Sequence, residues 1–187
     1  MPTLDPRSTA LVLIDLQQGI VPMAGGPIAG ETLVGNARNL AARFREVGAP
    51  VVLVHVAGTP AELPSQKVDE PGFPPEGTPL GFENFVPDLR EPGDIVVLKH
   101  HWGAFTGTDL DLQLRRRGVK TVVIGGIATN MGVESTARSA WELSYDVVIA
   151  ADVCAGRSTE LHEFAMRHIL PKIARLTGAG GSDFDMG

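Results

Sequence analysis

Two positions in this chain carry residue types that acid–base chemistry requires, and a third position, a glycine, has a similar setting. Asp15 directly follows one run of aliphatic residues, Lys99 directly follows a second, and Gly132 lies shortly after a third. A carboxyl group can give or take a proton, and an ammonium group beside it can stabilise the carboxylate. Polar residues that end apolar runs are the first candidates for a site.

The segment around Gly132 has the layout of a strand that passes through a tight turn into a helix. Residues 121–141 read TVVIGGIATNMGVESTARSAW. This layout presents the residue at the turn beside N–H groups of the first helical turn, which have no partner inside the helix. Such amides can receive a developing oxyanion. Gly132 itself has no side chain with which to attack a substrate.

Strand and helix patterns alternate along the chain and predict how these positions are held. The predicted strands cover residues 9–14, 50–56, 95–98, 122–124, 146–150 and 172–176, and the predicted helices cover 31–47, 109–117, 133–143 and 159–170. This order predicts a three-layer α/β/α domain with a mostly parallel sheet of about six strands. We expect one domain over residues 1–177 and a flexible, glycine-rich tail over residues 178–187.

Ligands of such sheets bind outside the carboxyl ends of the strands, where Asp15, Lys99 and the turn before Gly132 all fall. The alternative is a purely structural ion pair between Asp15 and Lys99. Because desolvation makes buried ion pairs poor stabilisers, we favour a functional pair. The ammonium group is expected to lower the pKa of the Asp15 carboxyl.

Composition and charge exclude several classes of partner. The net charge is −6, and no basic run exceeds Arg115-Arg116-Arg117, which argues against nucleic acid and anionic membranes. The sequence shows neither a signal peptide nor a long apolar span, so we expect a cytoplasmic protein. The single cysteine, Cys154, excludes an intrachain disulfide and a multi-cysteine metal site. It follows the fifth predicted strand, where we expect a structural role.

The ordered motifs resemble the isochorismatase-like family of the cysteine hydrolase superfamily. The matching segments are ALVLIDLQQGI, residues 96–156 and HEFAMRHILPKIARL, so the resemblance leaves out only the 57–93 loop and the tail. Enzymes of this family use an aspartate, a lysine and a cysteine, which by motif fall on Asp15, Lys99 and Gly132. The chain is most similar to a subgroup that carries glycine at the third position.

The same resemblance implies further features. A non-proline cis peptide is expected at Ile127–Ala128, and self-association into a dimer or tetramer is expected because family members are often oligomers. The resemblance and the positions of the strand ends together indicate which residues contact a small-molecule substrate. These are Gln17, Trp102, Phe105, Ile127, Ala128, Thr129 and Asn130.

The predicted loop over residues 57–93 is long and proline-rich, and long loops in compact domains are usually functional. Its phenylalanines, Phe73, Phe82 and Phe85, suggest a ligand with little charge. Family isochorismatases tend to hold the two carboxylates of isochorismate with arginine and glutamine. The loop offers only Gln66, Lys67 and Arg90 for this purpose, and none of them has a clear motif match.

The histidines do not indicate a metal site. Family nicotinamidases bind a metal through an aspartate and histidines after the second strand, but here that place reads VHVAGTP. His55 lies inside the strand, and His162 and His168 are too far apart on their helix to share a face. We expect hydrogen-bonded structural histidines, no metal and no cofactor.

Three hypotheses for function remain open. The favoured one is a small-molecule hydrolase in which Asp15 and Lys99 act by acid–base chemistry without a covalent intermediate. Hydrolysis of a vinyl ether, as in isochorismate, fits it because that reaction needs no nucleophilic sulfur. The alternatives are an inactive relative that binds a small molecule in the retained pocket, and a purely structural oligomer.

Overall fold

A six-stranded parallel sheet forms the centre of the computed structural model, which describes residues 3–177. The strands are β1 Thr9–Ile14, β2 Val51–Val56, β3 Ile95–Lys99, β4 Thr121–Ile127, β5 Asp146–Ala155 and β6 Arg175–Leu176. Their order across the sheet is β3-β2-β1-β4-β5-β6, and every neighbouring pair is parallel. The tail expected over residues 178–187 lies outside the described residues.

Within residues 3–177 the chain forms four α-helices, which lie on the two sides of this sheet. They are α1 Gly30–Glu46, α2 Leu110–Arg116, α3 Glu134–Glu142 and α4 Thr159–Phe164. Helix α1 packs on one face, while α2, α3 and the segment that follows α4 pack on the other. The predicted three-layer α/β/α architecture is therefore confirmed. None of the helices between residues 3 and 177 is long and apolar enough to span a membrane.

Burial on both faces explains why the sequence of strand β1 is almost continuously apolar. Leu11 and Leu13 belong to the core under α1, whereas Val12 and Ile14 belong to the core on the opposite face. Alternate side chains of a strand point to opposite faces, so a strand covered on both sides needs apolar residues at every position. All six residues of β1 are buried.

Helix α1 follows from its apolar spacing. Leu33, Ala37 and Phe44 lie on one buried face, as the periodicity predicts. The helix ends at Glu46, and Gly48 adopts a positive φ of 72°. Glycine tolerates this left-handed conformation without a Cβ penalty, which confirms its predicted role as the stop of the helix.

Strands β4 and β5 run well past their predicted ends, whereas β6 covers only Arg175–Leu176 of the predicted 172–176. Strand β4 does not end before Gly125 but continues to Ile127. At Gly126, where φ is 133°, a Cβ atom would overlap the carbonyl oxygen of Ile14 in β1. The paired glycines therefore allow close approach of two strands rather than marking a turn.

Strand β5 runs to Ala155, five residues beyond its predicted end at Ala150. Its register with β4 shifts between Ile124 and Gly126, so β5 accommodates extra residues as a bulge. Cys154 consequently lies inside the strand rather than after it, opposite Gly126.

Candidate active site

The carboxyl ends of β1 and β3 bring Asp15 and Lys99 together, although β2 separates these strands in the sheet. Lys99 is the last residue of β3, and its Nζ donates a hydrogen bond of 2.8 Å to Oδ2 of Asp15. Both residues are buried, with 2 % of Lys99 and 5 % of Asp15 exposed. The Lys99 ammonium also donates to the carbonyl oxygen of His101 at 3.0 Å, which holds it in place.

Asp15 leaves β1 in an unusual backbone conformation. Its φ is 55°, in the left-handed region, while its N–H donates to the carbonyl oxygen of Val54 at 2.9 Å. Aspartate tolerates this region better than most residues, but a non-glycine residue held there still stores strain. Such strain is common at functional sites.

The environment of the Asp15 carboxyl favours its protonated form. Burial raises its pKa to about 6 and outweighs the opposite effect of the Lys99 charge and hydrogen bond. Lys99 does lower this pKa, as expected, but removal from water is the larger effect, so the net shift is upward. Within residues 3–177, the second carboxyl oxygen, Oδ1, is buried without a hydrogen-bond partner.

Gly132 lies directly beside this carboxyl. A Cβ atom at position 132 would be 3.2 Å from Oδ2 of Asp15 and 3.0 Å from Cγ2 of Ile14. A side chain here would start within contact distance of the proposed acid, so the glycine leaves that space open. The residue belongs to a wide helical turn, Thr129–Val133, that leads from β4 into α3.

The turn before Gly132 begins with a cis peptide bond between Ile127 and Ala128. This confirms the feature that the family resemblance implies. Both residues also line the cavity described next.

A cavity of about 400 Å³ opens above Asp15, within the usual size range of small-molecule sites. Most of its lining is apolar, and the long connection between β2 and β3 supplies one wall. The lining residues are Asp15, Gly19, Ile20, Met23, Val56, Gly72, Phe73, Pro74, Thr78, Pro79, Phe82, Lys99, Trp102, Ile127, Ala128, Met131, Gly132 and Arg157.

The structure brings six of the predicted site residues to this cavity: Asp15, Lys99, Trp102, Ile127, Ala128 and Gly132. Four others, Gln17, Phe105, Thr129 and Asn130, are not among the lining residues. Phe105 packs in the core against the Tyr145 ring at 5.8 Å between centroids, and Oδ1 of Asn130 is buried without a partner among the described residues.

Gln17 and Thr129 make buried structural hydrogen bonds. The Gln17 amide donates to the carbonyl oxygens of Val56 and Phe82 and accepts from the N–H of Val56. These contacts tie the long loop to strand β2. Thr129 Oγ1 is hydrogen-bonded to Nδ1 of His162 at 2.8 Å, which joins the turn after β4 to α4.

The long loop meets the cavity through part of its predicted apolar set. Phe73 and Phe82 line the cavity, whereas Phe85 packs against the His55 ring at 5.0 Å between centroids. Gln66, Lys67 and Arg90 are not among the lining residues.

Sequence reasoning missed Arg157, which lines the cavity and follows β5 by two residues. The rule that identified Asp15 and Lys99, a polar residue after a strand, would have found it. The early predicted end of β5 at Ala150 hid this signal. Met23 and Met131 were also missed, and nothing in their local sequence distinguishes them from core residues.

Two of the histidines and the single cysteine are engaged elsewhere. His55 and His100 donate from Nδ1 to the carbonyl oxygens of Glu83 and Ala57. Cys154 is buried, which raises the pKa of its thiol to about 12. Over residues 3–177, no three histidine, cysteine, aspartate or glutamate side chains are grouped so that they could hold a metal ion.

Comparison with known proteins agrees with the fold and motifs. The family model described as the isochorismatase domain matches residues 9–180. An uncharacterised isochorismatase family protein of Escherichia coli O157:H7, YecD, is 49 % identical over 176 residues, covering 92 % of this chain and 93 % of that protein. Ureidoacrylate amidohydrolase RutB of Methylobacterium radiotolerans is 31 % identical, covering 89 % and 74 %.

A solved structure is similar over nearly the whole length. The isochorismatase family protein of Burkholderia thailandensis superimposes with a TM-score of 0.91 at 44 % identity, covering 98 % of this chain and 97 % of that one. The match includes the sheet and the elements that carry the candidate site.

Proposed function

The chain belongs to the isochorismatase family of hydrolases, and we propose that it hydrolyses a small molecule by acid–base chemistry without a covalent enzyme intermediate. The observation that carries this proposal is the buried Asp15 carboxyl, whose pKa is raised to about 6 beside the space left by Gly132. A carboxyl of this kind retains a protonated fraction near neutral pH and can act as a general acid.

Vinyl-ether hydrolysis of the isochorismate type uses these groups without a nucleophilic side chain. Asp15 gives its proton to the terminal carbon of the enol ether, which leaves an oxocarbenium ion. Water adds to that ion, and the resulting hemiketal breaks down to a ketone and an alcohol. The proton released by the water returns to Asp15, so the carboxyl is protonated again at the end of each turnover.

Lys99 and Gly132 have supporting roles in this mechanism. When Asp15 loses its proton, the Lys99 ammonium 2.8 Å away stabilises the carboxylate. The substrate occupies the space left by Gly132, beside the acid. Ile127 and Ala128 form the wall against which it packs. Attack by a thiol is left out of the mechanism because position 132 has no sulfur and Cys154 is buried.

The test is pyruvate release from isochorismate by the wild type and Asp15→Asn. We expect the wild type to release pyruvate and the Asp15→Asn variant to do so at a rate lower by about a hundredfold or more. Asp88→Asn is the matched control, since Asp88 has the same φ of 55° but is exposed and outside the cavity. Equal rates for Asp15→Asn and the wild type on a true substrate would contradict the proposal.

The rival hypothesis is a binding protein that has kept the pocket and lost the chemistry. It predicts ligands that raise the melting temperature but are not turned over. A thermal-shift screen of ethers, amides and ureides, followed by turnover assays of every ligand found, separates it from the hydrolase. Tight binding with no turnover across all three classes would favour the binding protein.

A further inference from the structure

Thr136, in the first turn of α3, joins two segments of the candidate site through one buried hydroxyl group. Its Oγ1 donates a hydrogen bond of 2.6 Å to the carbonyl oxygen of Gly132 and accepts one of 3.1 Å from the N–H of Ala104. The residue is fully buried. The bond to Gly132 spans one helical turn, as threonine hydroxyls in helices often do. The bond from Ala104 is different, because it comes from the connection between β3 and α2.

The segment bonded to this hydroxyl, residues 100–104, carries two groups of the site. The carbonyl oxygen of His101 accepts a hydrogen bond of 3.0 Å from Nζ of Lys99, and Trp102 lines the cavity. The carbonyl oxygen of Trp102 would lie 3.5 Å from a Cβ atom at Gly132. The segment therefore passes directly beside the glycine turn, and its path decides where the acceptor for the lysine lies.

Both ends of this segment are held. The preceding residue, Lys99, belongs to β3, and the last residue, Ala104, is fully buried. The N–H of Ala104 donates to Thr136, and its carbonyl oxygen accepts from Oγ1 of Thr108 at 2.6 Å. Removal of the Thr136 hydroxyl would leave a buried N–H without its partner, and such a group is costly unless the backbone moves. We therefore expect the segment, with its His101 carbonyl, to shift when the hydroxyl is lost.

We propose that Thr136 is a positioning residue of the candidate site, which acts through residues 100–104 to hold the Lys99 ammonium group against the Asp15 carboxyl. Thr136 is not among the residues that line the cavity, so it would act only through the groups that it bonds. The inference rests on the proposed function only in treating Asp15 as the acid of the reaction. The contacts that carry it do not depend on the substrate.

Loss of the hydroxyl should change the titration of Asp15 in a definite direction. Burial raises the pKa of this carboxyl to about 6, while the charge and hydrogen bond of Lys99 act in the opposite direction. When the ammonium group moves away, its effect weakens and the pKa of Asp15 rises further. The third charged residue that lines the cavity, Arg157, follows β5 and contacts Sδ of Met23 instead of the moving segment.

Carbon NMR titration of labelled aspartate carboxyl groups measures this pKa without a substrate. The Asp15 signal is assigned by its loss in Asp15→Asn. Thr136→Val keeps the shape of the side chain but lacks the hydroxyl, and we expect it to move the Asp15 midpoint upward by about half a pH unit or more. Thr136→Ser keeps the hydroxyl and should keep the wild-type midpoint.

Ser139→Ala is the matched control on the same helix. The Ser139 hydroxyl donates along α3 to the carbonyl oxygen of Ser135 at 3.1 Å and, within residues 3–177, reaches no other segment. Its removal should leave the Asp15 midpoint unchanged. Melting temperatures establish which variants are folded, and Thr136→Ala removes the same hydroxyl if Thr136→Val does not fold. A lower melting temperature with an unchanged Asp15 midpoint would mean that Thr136 is merely structural and would overturn the proposal.

Titration and turnover separate this inference from the proposed function. If pyruvate release depends on Asp15, the fall in kcat with rising pH should move to higher pH in Thr136→Val by the same amount as the midpoint. A raised midpoint, with equal turnover by Asp15→Asn and the wild type, would contradict the hydrolase and leave the positioning role standing. An unchanged midpoint, with turnover that depends on Asp15, would contradict the positioning role and leave the hydrolase standing.

Discussion

At the scale of single residues, the site depends on two oppositely charged side chains that are both buried away from water. Asp15 and Lys99 make a short hydrogen bond, yet burial still raises the pKa of Asp15 to about 6. The pair costs stability through desolvation, and a structural role could be served by apolar residues at lower cost. This cost is consistent with selection for chemistry rather than for stability.

The raised pKa predicts how stability depends on pH. Asp15 binds its proton with a pKa of about 6 in the folded state and 3.8 in the unfolded chain. Between these values the folded state holds more protons, so its stability falls as pH rises. The unfolding free energy of the wild type relative to Asp15→Asn should decrease by about 2–3 kcal/mol from about pH 4 to pH 7.

Urea denaturation of both proteins across that pH range measures the difference. Titrating groups distant from position 15 are common to the two proteins and cancel in the comparison to first order. Lys99 is the exception, because Asp15→Asn leaves its buried ammonium without a counter-charge. A difference that stays constant or grows with pH would mean that the fold does not raise the pKa of Asp15.

Gly132 should be sensitive to the smallest enlargement. Gly132→Ala would place a methyl group 3.0 Å from Ile14 and 3.2 Å from the Asp15 carboxyl, so these neighbours must shift. We expect a loss of about 1–3 kcal/mol in the free energy of unfolding, measured by urea denaturation, and weaker ligand binding.

Gly35 in α1 provides the matched control, because a Cβ atom there meets nothing within 4 Å. Gly35→Ala should be neutral or stabilising by about 1 kcal/mol or less. Similar effects of the two substitutions would show that position 132 is not crowded by the site.

At the scale of elements, the site depends on how the long β2–β3 connection is fastened. Gln17, two residues beyond Asp15, bonds to both backbone groups of Val56 in β2 and to the carbonyl oxygen of Phe82 in the loop. One buried amide therefore links three segments around the cavity. Both polar atoms of the Gln17 amide are used in these hydrogen bonds. We therefore infer that Gln17 lies near Asp15 because it holds the cavity wall together.

Replacement of Gln17 tests this fastening. Gln17→Leu keeps a similar volume but leaves the Val56 and Phe82 groups without their partner, so we expect a loss of about 3 kcal/mol or more. Gln18→Leu is the control, since the exposed Gln18 donates a single bond to Phe85, and it should change stability by about 0.5 kcal/mol or less. Limited proteolysis should also cut the β2–β3 connection faster in Gln17→Leu than in the wild type, but not in Gln18→Leu. Equal stability of the two variants would contradict this role.

At the scale of the whole molecule, the sheet separates two apolar cores and leaves the site at its carboxyl edge. The core under α1 and the core under α2 and α3 each include alternate residues of the same central strands. Cys154 lies in the second core, fully buried between elements that must separate before reagent can reach it. Its thiol therefore reports on unfolding of the sheet as a unit.

Labelling of Cys154 with iodoacetamide should follow global unfolding. Burial and a pKa of about 12 both suppress the reactive thiolate in the folded state. We expect labelling to begin only in urea, with a midpoint that coincides with the circular-dichroism transition. An added surface thiol, Thr32→Cys in α1, should label without urea as a control. Rapid labelling of Cys154 in the native protein would indicate local opening of β5.

The sequence by itself determined the layered fold and the two charged strand ends. Continuous apolar strands and one-faced helices are local patterns, and parallel strands must bring their carboxyl ends to one edge. The order of residues along the chain is therefore enough to place Asp15 and Lys99 at the same edge of the sheet, whereas the strand order in the structure brings them into contact. The cis peptide at Ile127–Ala128 followed from resemblance alone.

Only the tertiary structure decided which neighbours make up the site. The bulge in β5 carries Arg157 to the cavity, and the engaged amide of Gln17 joins the wall instead of lining it. The pKa of Asp15 also depends on the tertiary structure, because it reflects burial by segments distant in sequence. Solvent exclusion and the pairing of charges arise from the packing of the whole chain, and no local pattern of residues encodes them.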